Sequence, residues 1–262
     1  MDWNRLPLSR TSLDRGAVHR SEPELLERSW ADPSALVLVL DRGRPATRAA
    51  ADGGVELDLR SPAELGHLRR EGDLLLYLGE APPDGPPEVG TPRPYLALVL
   101  ADQAASTGNA VGIEGVPELA APLGSGRPFG WSALRDVGHV LGDRDAGLAT
   151  TAVGLAAWHE RNPRCPRCGA PTVPAQGGWV RRCTVEGTDH YPRTDPAVIM
   201  AVVDPADRLL LGHAAHWPER RFSTLAGYVE PGESLEGAVR REVGEEVGVV
   251  IGDVVYRGSQ PW

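Results

Sequence analysis

The residues best placed to do chemistry are Glu242, Glu245 and Glu246, which lie close together near the C-terminal end of the sequence. Pro231-Gly232-Glu233-Ser234 reads as a turn whose last residue can cap a helix, and that helix is predicted from Leu235 to Val247. At about 100° per residue, Leu235, Ala238, Val239 and Val243 share one face. Glu242 and Glu246 fall on that same face, with Glu245 at its edge, while Gly237, Arg240, Arg241 and Gly244 lie opposite. A solvated acidic stripe would sit opposite the apolar one. Unpaired carboxylates beside a core are costly, and like charges one turn apart repel. A divalent cation removes both penalties. Mg²⁺ takes hard oxygen ligands and keeps waters and phosphates in the rest of its shell. Such an ion neutralises a phosphoryl group and activates a water. Arg241 stands one helical turn before Glu245 and can pair with it.

A second cluster is formed by the three cysteines of the sequence, Cys165, Cys168 and Cys183. Cys165 and Cys168 form a Cys-x-x-Cys pair. In a chain with no secretion signal that spacing reads as a metal site. A redox pair of the thioredoxin type would need a βαβ context, which is missing here.

These residues need elements to hold them. Apolar runs at Ala35–Leu40, Leu74–Leu78 and Tyr95–Leu100 predict strands, the last two separated by a Pro- and Gly-rich loop near 81–94. A helix is predicted over Ala146–Arg161. Residues 162–192 are turn-rich and hold all the cysteines. Ala197–Val203 predicts a strand that returns through Asp204-Pro205 into Arg208–Leu211 as a hairpin. The formal net charge of −9 argues against an extended nucleic-acid surface; the absence of Lys, with so much Ala, Gly and Pro, points to coding bias rather than function. No apolar run reaches the roughly 18 residues of a membrane span, and the N-terminal segment, starting Met1-Asp2-Trp3, lacks a basic-then-apolar signal pattern. A cytoplasmic protein with no membrane partner is expected.

Read at its full spacing, the acidic segment is Gly227, Glu233, Arg241, Glu242, Val243, Glu245, Glu246, Gly248 and Val249, and it resembles the Nudix box at every fixed position. Ser259-Gln260-Pro261-Trp262, Tyr191-Pro192-Arg193 and the ribbon-like Cys165-Pro166-Arg167-Cys168-Gly169 resemble the NADH pyrophosphatase branch of that family. The resemblance spans about 145–262. It implies an α+β architecture: an N-terminal mixed α/β domain (1–160), a zinc-ribbon-like linker (161–192) and a Nudix α/β/α sandwich (193–262). It also implies hydrolysis of NADH or NAD to nicotinamide mononucleotide and AMP, removal of NAD caps from RNA 5′ ends, and a homodimer. Glu242, Glu245 and Glu246 would bind Mg²⁺ or Mn²⁺ with the Ala226 carbonyl, and Arg241, Glu245 and Glu246 would serve catalysis. Tyr191, Tyr228, Gln260, Pro261 and Trp262 would touch the dinucleotide.

The sequence departs from the family pattern twice. Where a fourth Cys would complete the ribbon, residue 186 is Glu; His190 is the softer candidate. A structural Zn²⁺ held with either substitute and a metal-free ribbon both stand. The sequence also stops inside the substrate array, so the sandwich is expected to be partial. The alternative reading is an inactive remnant serving as a binding or dimerisation module.

Overall fold

Alternation along two central strands sets the layers of the larger unit. The computed structural model of the chain describes residues 6–70, 72–81, 92–100 and 129–261. It divides into one unit of Met1–Pro192 with Gly258–Trp262 and another of Arg193–Arg257. In the first, α1 (Leu25–Ala31) precedes β1 (Leu36–Asp41), β2 (Arg44–Ala49), β3 (Val55–Leu57), β4 (Leu59–Arg60) and the short α2 (Pro62–Leu65). There follow β5 (Leu74–Ala81), β6 (Arg93–Val99), β7 (Gly130–Trp131), α3 (Leu134–Val137) and α4 (Asp143–Arg161). The sheet runs β3-β2-β1-β6-β5, with β4 paired to β1 and β7 to β2; β1 and β6 are parallel. Arg42 and Gly43 both adopt positive φ, the geometry of a two-residue turn that matches strand twist and joins β1 to β2.

Leu38, Leu40, Leu76, Leu78 and Ala97 face Ala146, Leu148, Ala152 and Leu155 of α4. Their strand neighbours Val37, Val39, Leu75, Leu96 and Leu98 face Leu25, Leu65, Phe129 and Trp131 on the other side. The period-2 pattern thus feeds two cores at once. The three predicted strands fall on β1, β5 and β6. The predicted loop near 81–94 lies largely outside the described residues. Helix α4 begins earlier than expected, at Asp143, where acidic residues favour a helix start. Asp145 is buried there and accepts the Leu57 backbone N–H at 2.9 Å.

The cysteine segment forms a small antiparallel sheet of β8 (Thr172–Ala175), β9 (Val180–Cys183) and β10 (Asp189–His190). It is seated on the larger sheet and α4. Trp179 Nε1 donates to the Tyr77 carbonyl at 2.7 Å, and the Arg20 guanidinium stacks 3.4 Å over the Trp179 ring. Arg181 is buried rather than solvated and donates to Thr172 Oγ1 (2.6 Å), the Thr172 carbonyl (2.7 Å) and His159 Nδ1 (2.8 Å). Because a guanidinium only donates, His159 Nδ1 must accept, and Nε2 carries the proton to the Gly178 carbonyl at 2.7 Å.

The second unit pairs β11 (Ala197–Met200) antiparallel with β12 (Leu225–Tyr228), and α5 (Leu235–Val247) packs Ala238, Val239 and Val243 on Val198, Met200 and Leu225. The hairpin expected from Ala197 to Leu211 needs correction. The antiparallel return is present but short: Val203 bridges Leu209, the Asp204 N–H donates to the Arg208 carbonyl at 3.1 Å, and the Leu210 N–H donates to the Val202 carbonyl at 2.8 Å. Asp204 accepts the Ala206 and Arg208 backbone N–H groups and the Arg208 guanidinium, which favours a closed loop over a ladder. The continuous ladder goes to β12. Among the described residues no helix is long and apolar enough to cross a membrane.

Burial first, and then the neighbouring Arg181 charge, lower the His159 pKa from 6.5; the Gly178 carbonyl opposes them. A histidine held neutral in the fold contributes stability that is complete above its unfolded pKa and declines as pH falls through about 6.5. Urea unfolding between pH 7.5 and 5 should therefore show falling stability in the native chain and a flatter profile in His159→Gln.

Candidate functional site

Ser234 caps α5 by accepting the Gly237 N–H at 3.1 Å, so the helix starts where the sequence places it. Gly248 ends it in the left-handed conformation, its N–H bonded to the Gly244 carbonyl. Leu235, expected on the buried stripe, is half exposed at the first turn, before the helix meets β11 and β12.

Arg241 organises the acidic residues. Its Nη2 donates to Glu233 Oε1 at 2.6 Å and to the Tyr228 carbonyl at 2.9 Å, and its Nε reaches Glu233 Oε2 at 3.2 Å. Its Nη1 donates to Glu242 Oε1 at 2.9 Å and to Glu245 Oε2 at 3.1 Å. The sequence paired Arg241 with Glu245 and placed it opposite the apolar stripe. The structure keeps that pair and adds stronger ones, because the long guanidinium stem turns back from the helix flank towards the strand end. Glu233, a fixed box position to which the sequence gave no role beyond the turn, is the main partner. Hydrogen bonding to Arg241 holds the Glu233 pKa below its usual 4.5, and the same contact, Glu233 first, raises that of Arg241.

Glu242 is the most enclosed of the three carboxylates, at 15% side-chain exposure against 61% for Glu245. Its side chain lies against Gly227 of β12, where a Cβ would run into Glu242 Cγ and Cδ. That close approach explains the glycine: the backbone must leave room for the carboxylate. Glu246 is exposed rather than set beside the core. Ala226 lies on β12, opposite Ile199. Tyr228 is 71% exposed, a free aromatic face at the end of the same strand.

The other expected substrate residues belong to the first unit. Tyr191 is 66% exposed. Gln260 Oε1 accepts the Leu8 N–H at 3.2 Å, and Ser259, Gln260 and Pro261 line a cleft of about 260 Å³ with Arg10, Thr11 and Thr150. Trp262 lies outside the described residues.

In the ribbon, the thiols of Cys165, Cys168 and Cys183 and a Glu186 oxygen all lie within 4.8 Å of one another. His190 is not in this group; its Nε2 lies 3.4 Å from Thr188 Oγ1. Of the two substitutes the sequence left open, the structure brings Glu186 to the thiols. Burial pushes the Cys165 thiol up, but N–H groups of Cys168 and Arg167 and the two other thiols bring it down to about 6. Among the described residues this is the one tight group of potential metal ligands. The α5 carboxylates are not so gathered, and Mg²⁺, which binds through one or two carboxylates and keeps its waters, does not require it.

Three family models match consecutive stretches of the chain: an NADH pyrophosphatase-like rudimentary NUDIX domain over 34–158, the NADH pyrophosphatase zinc ribbon domain over 160–191, and the NUDIX domain over 193–262. The chain belongs to the NADH pyrophosphatase branch of the Nudix family. Over 129 residues it is 48% identical to the NAD-capped RNA hydrolase NudC of Mycobacterium bovis and 47% identical to that of Mycobacterium tuberculosis. Each match covers 49% of this chain and 41% of the relative. Over 131 residues it is 44% identical to the human NAD-capped RNA hydrolase NUDT12, covering 47% of this chain and 28% of that protein. The chain therefore spans less than half the length of these curated relatives in the matched region. The N-terminal segment, expected to be NADH-pyrophosphatase-like although it carries no acidic box of its own, matches the family model of that description over 34–158.

Two outcomes test the Nudix site's construction. Gly227→Ala should displace Glu242 and cost about 1–3 kcal/mol, as overpacking does, measured by denaturant unfolding. A depressed Glu233 pKa means stability that is full above about pH 4.5 and is lost as pH falls further. Glu233→Gln should remove that acid dependence in an unfolding series from pH 6 to 3.

Proposed function

We propose that this Nudix protein is a divalent-metal-dependent hydrolase that splits the diphosphate of NADH or NAD into nicotinamide mononucleotide and AMP, and acts likewise on the NAD cap of RNA. The observation that carries the reading is the carboxylate array on α5, clamped by Arg241 against Gly227 at the box positions. The relatives named as NAD-capped RNA hydrolases support the substrate class. The domain limits 1–160, 161–192 and 193–262 go with this reading.

Glu242, Glu245 and Glu246, with the Ala226 carbonyl, are the residues that would hold Mg²⁺ or Mn²⁺; their hard, anionic oxygens suit either ion. When bound, such an ion neutralises the diphosphate and lowers the pKa of a water. The net reaction adds one water across the diphosphate: its oxygen bonds to one phosphorus, the bridging P–O bond breaks, and its protons end on the two monophosphates. Arg241 fixes the Glu242 and Glu245 carboxylates, which reduces the reorganisation needed when substrate arrives. Glu246, exposed and one turn after Glu242, is free to meet the ion or the attacking water's proton. Tyr228 offers a stacking face for a base; for Tyr191, Gln260, Pro261 and Trp262 the family resemblance alone suggests a substrate role. A structural zinc in the ribbon and a homodimer complete the reading. The acidic chain has little cationic surface for a long RNA, so recognition centres on the 5′ end.

AMP release from NADH by the purified chain, followed by chromatography with Mg²⁺, Mn²⁺ or EDTA, tests this. Release is expected with either ion and none with EDTA. Glu246→Gln should lower the rate at least about 100-fold with an unchanged unfolding midpoint. Metal-independent release, or full activity in Glu246→Gln, would overturn the reading.

A further inference from the structure

The ribbon holds two loops with the same backbone path. In the first, the Cys165 carbonyl accepts the Gly169 N–H at 2.9 Å, and the Cys165 N–H donates to the Ala170 carbonyl at 2.8 Å. In the second, the Cys183 carbonyl accepts the Gly187 N–H at 3.1 Å, and the Cys183 N–H donates to the Thr188 carbonyl at 2.9 Å. Gly169 and Gly187 both adopt positive φ, +76° and +68°. Superposing the patterns puts Glu186 at the position of Cys168. The side chains follow: the Cys168 N–H bonds the Cys165 thiol, and the Glu186 N–H lies 3.3 Å from Cys183 Sγ.

We propose that Glu186 is the fourth ligand of a three-thiolate, one-carboxylate metal site, and that Arg167 is the residue that positions its carboxylate. Cys168 Sγ and Cys183 Sγ are 3.5 Å apart, and Cys165 Sγ and Glu186 Oε2 are 3.9 Å apart. Both separations are close to the edge, about 3.8 Å, of a tetrahedron with zinc–sulfur bonds. Arg167 Nε lies 3.5 Å from the same Glu186 oxygen. Three thiolates and a carboxylate around a dication leave an excess of negative charge, and Arg167 offsets part of it from just outside the ligand shell. His190 stands on β10, opposite Arg181, away from the loop tips. The site is a zinc ribbon in backbone, with one hard donor in place of a soft one. It should hold Zn²⁺ less tightly than four thiolates would.

The inference does not depend on the nucleotide reading and is tested without turnover. The full chain, freed of metal by chelator, is titrated with Co²⁺ alone, and its sulfur-to-cobalt charge-transfer band is recorded. The charge-transfer band is expected to saturate at one thiolate-bound Co²⁺ per chain, with tetrahedral visible bands. Glu186→Cys should raise the charge-transfer intensity by about one third, as the thiolates go from three to four, and bind more tightly. Glu186→Ala and Arg167→Ala should each weaken binding about 10-fold or more, while His190→Ala should leave it unchanged. No cobalt spectrum in the native chain, or loss in His190→Ala with none in Glu186→Ala, would overturn the proposal. Tight binding by Glu186→Cys keeps the assignment testable even if Glu186→Ala fails to fold.

Discussion

Everything at the acidic site depends on where Arg241 puts its charge. One guanidinium bridges a carboxylate from the turn before α5, two from the helix itself and a carbonyl at the end of β12. Without it, Glu233, Glu242 and Glu245 would repel one another across a short distance, and only the apolar packing of α5 on β11 and β12 would hold the strand–turn–helix unit together. A planar fork with five N–H donors is the side chain that can satisfy so many oxygens at once; lysine could not. The fork binds enough negative charge to keep the array compact and leaves Glu246 open to solvent.

Gly227 is the complementary constraint. A guanidinium can only draw Glu242 inward if the strand lets it approach, and Gly227 is where that approach occurs. The ribbon follows a related logic. Glycines at the tips, Gly169 and Gly187, let each loop turn back so that the side chains three residues apart in each, Cys165 with Cys168 and Cys183 with Glu186, meet at one point. Buried Arg181 and His159 and half-buried Trp179 then bind the ribbon to the sheet and α4 through hydrogen bonds that leave few alternatives. In both places, a cationic side chain and a missing Cβ do the positioning.

The sequence misread elements where local pattern and tertiary demand parted. Arg44–Ala49 is polar enough to pass for a loop, yet it pairs as β2 because β1, β3 and β7 supply its ladder. Ala197–Val203 looked like the first arm of a hairpin, but only its first half forms a ladder, and with a strand 25 residues further on. Nothing local to Ala197 announces a distant partner. Glu186 was visible as the vacant cysteine position, yet ligand softness favoured His190; only the backbone of the second loop decides between them.

What the sequence by itself determined was the chemistry and the local order. The box spacing, the Ser234 cap, the α5 limits and the alternation of β1, β5 and β6 are all set by interactions within a few residues. They persist because their periods of 2 and 3.6 do not depend on what lies opposite. What only the tertiary structure decided was pairing across distance. The turn of Arg241 towards Glu233 and Tyr228, the fit of Glu242 on Gly227 and the meeting of Glu186 with three thiols each depend on a partner from another loop or strand. Helix geometry fixes where a side chain begins. Where a long arginine or glutamate ends is settled by the charges and the space that the rest of the fold brings to it.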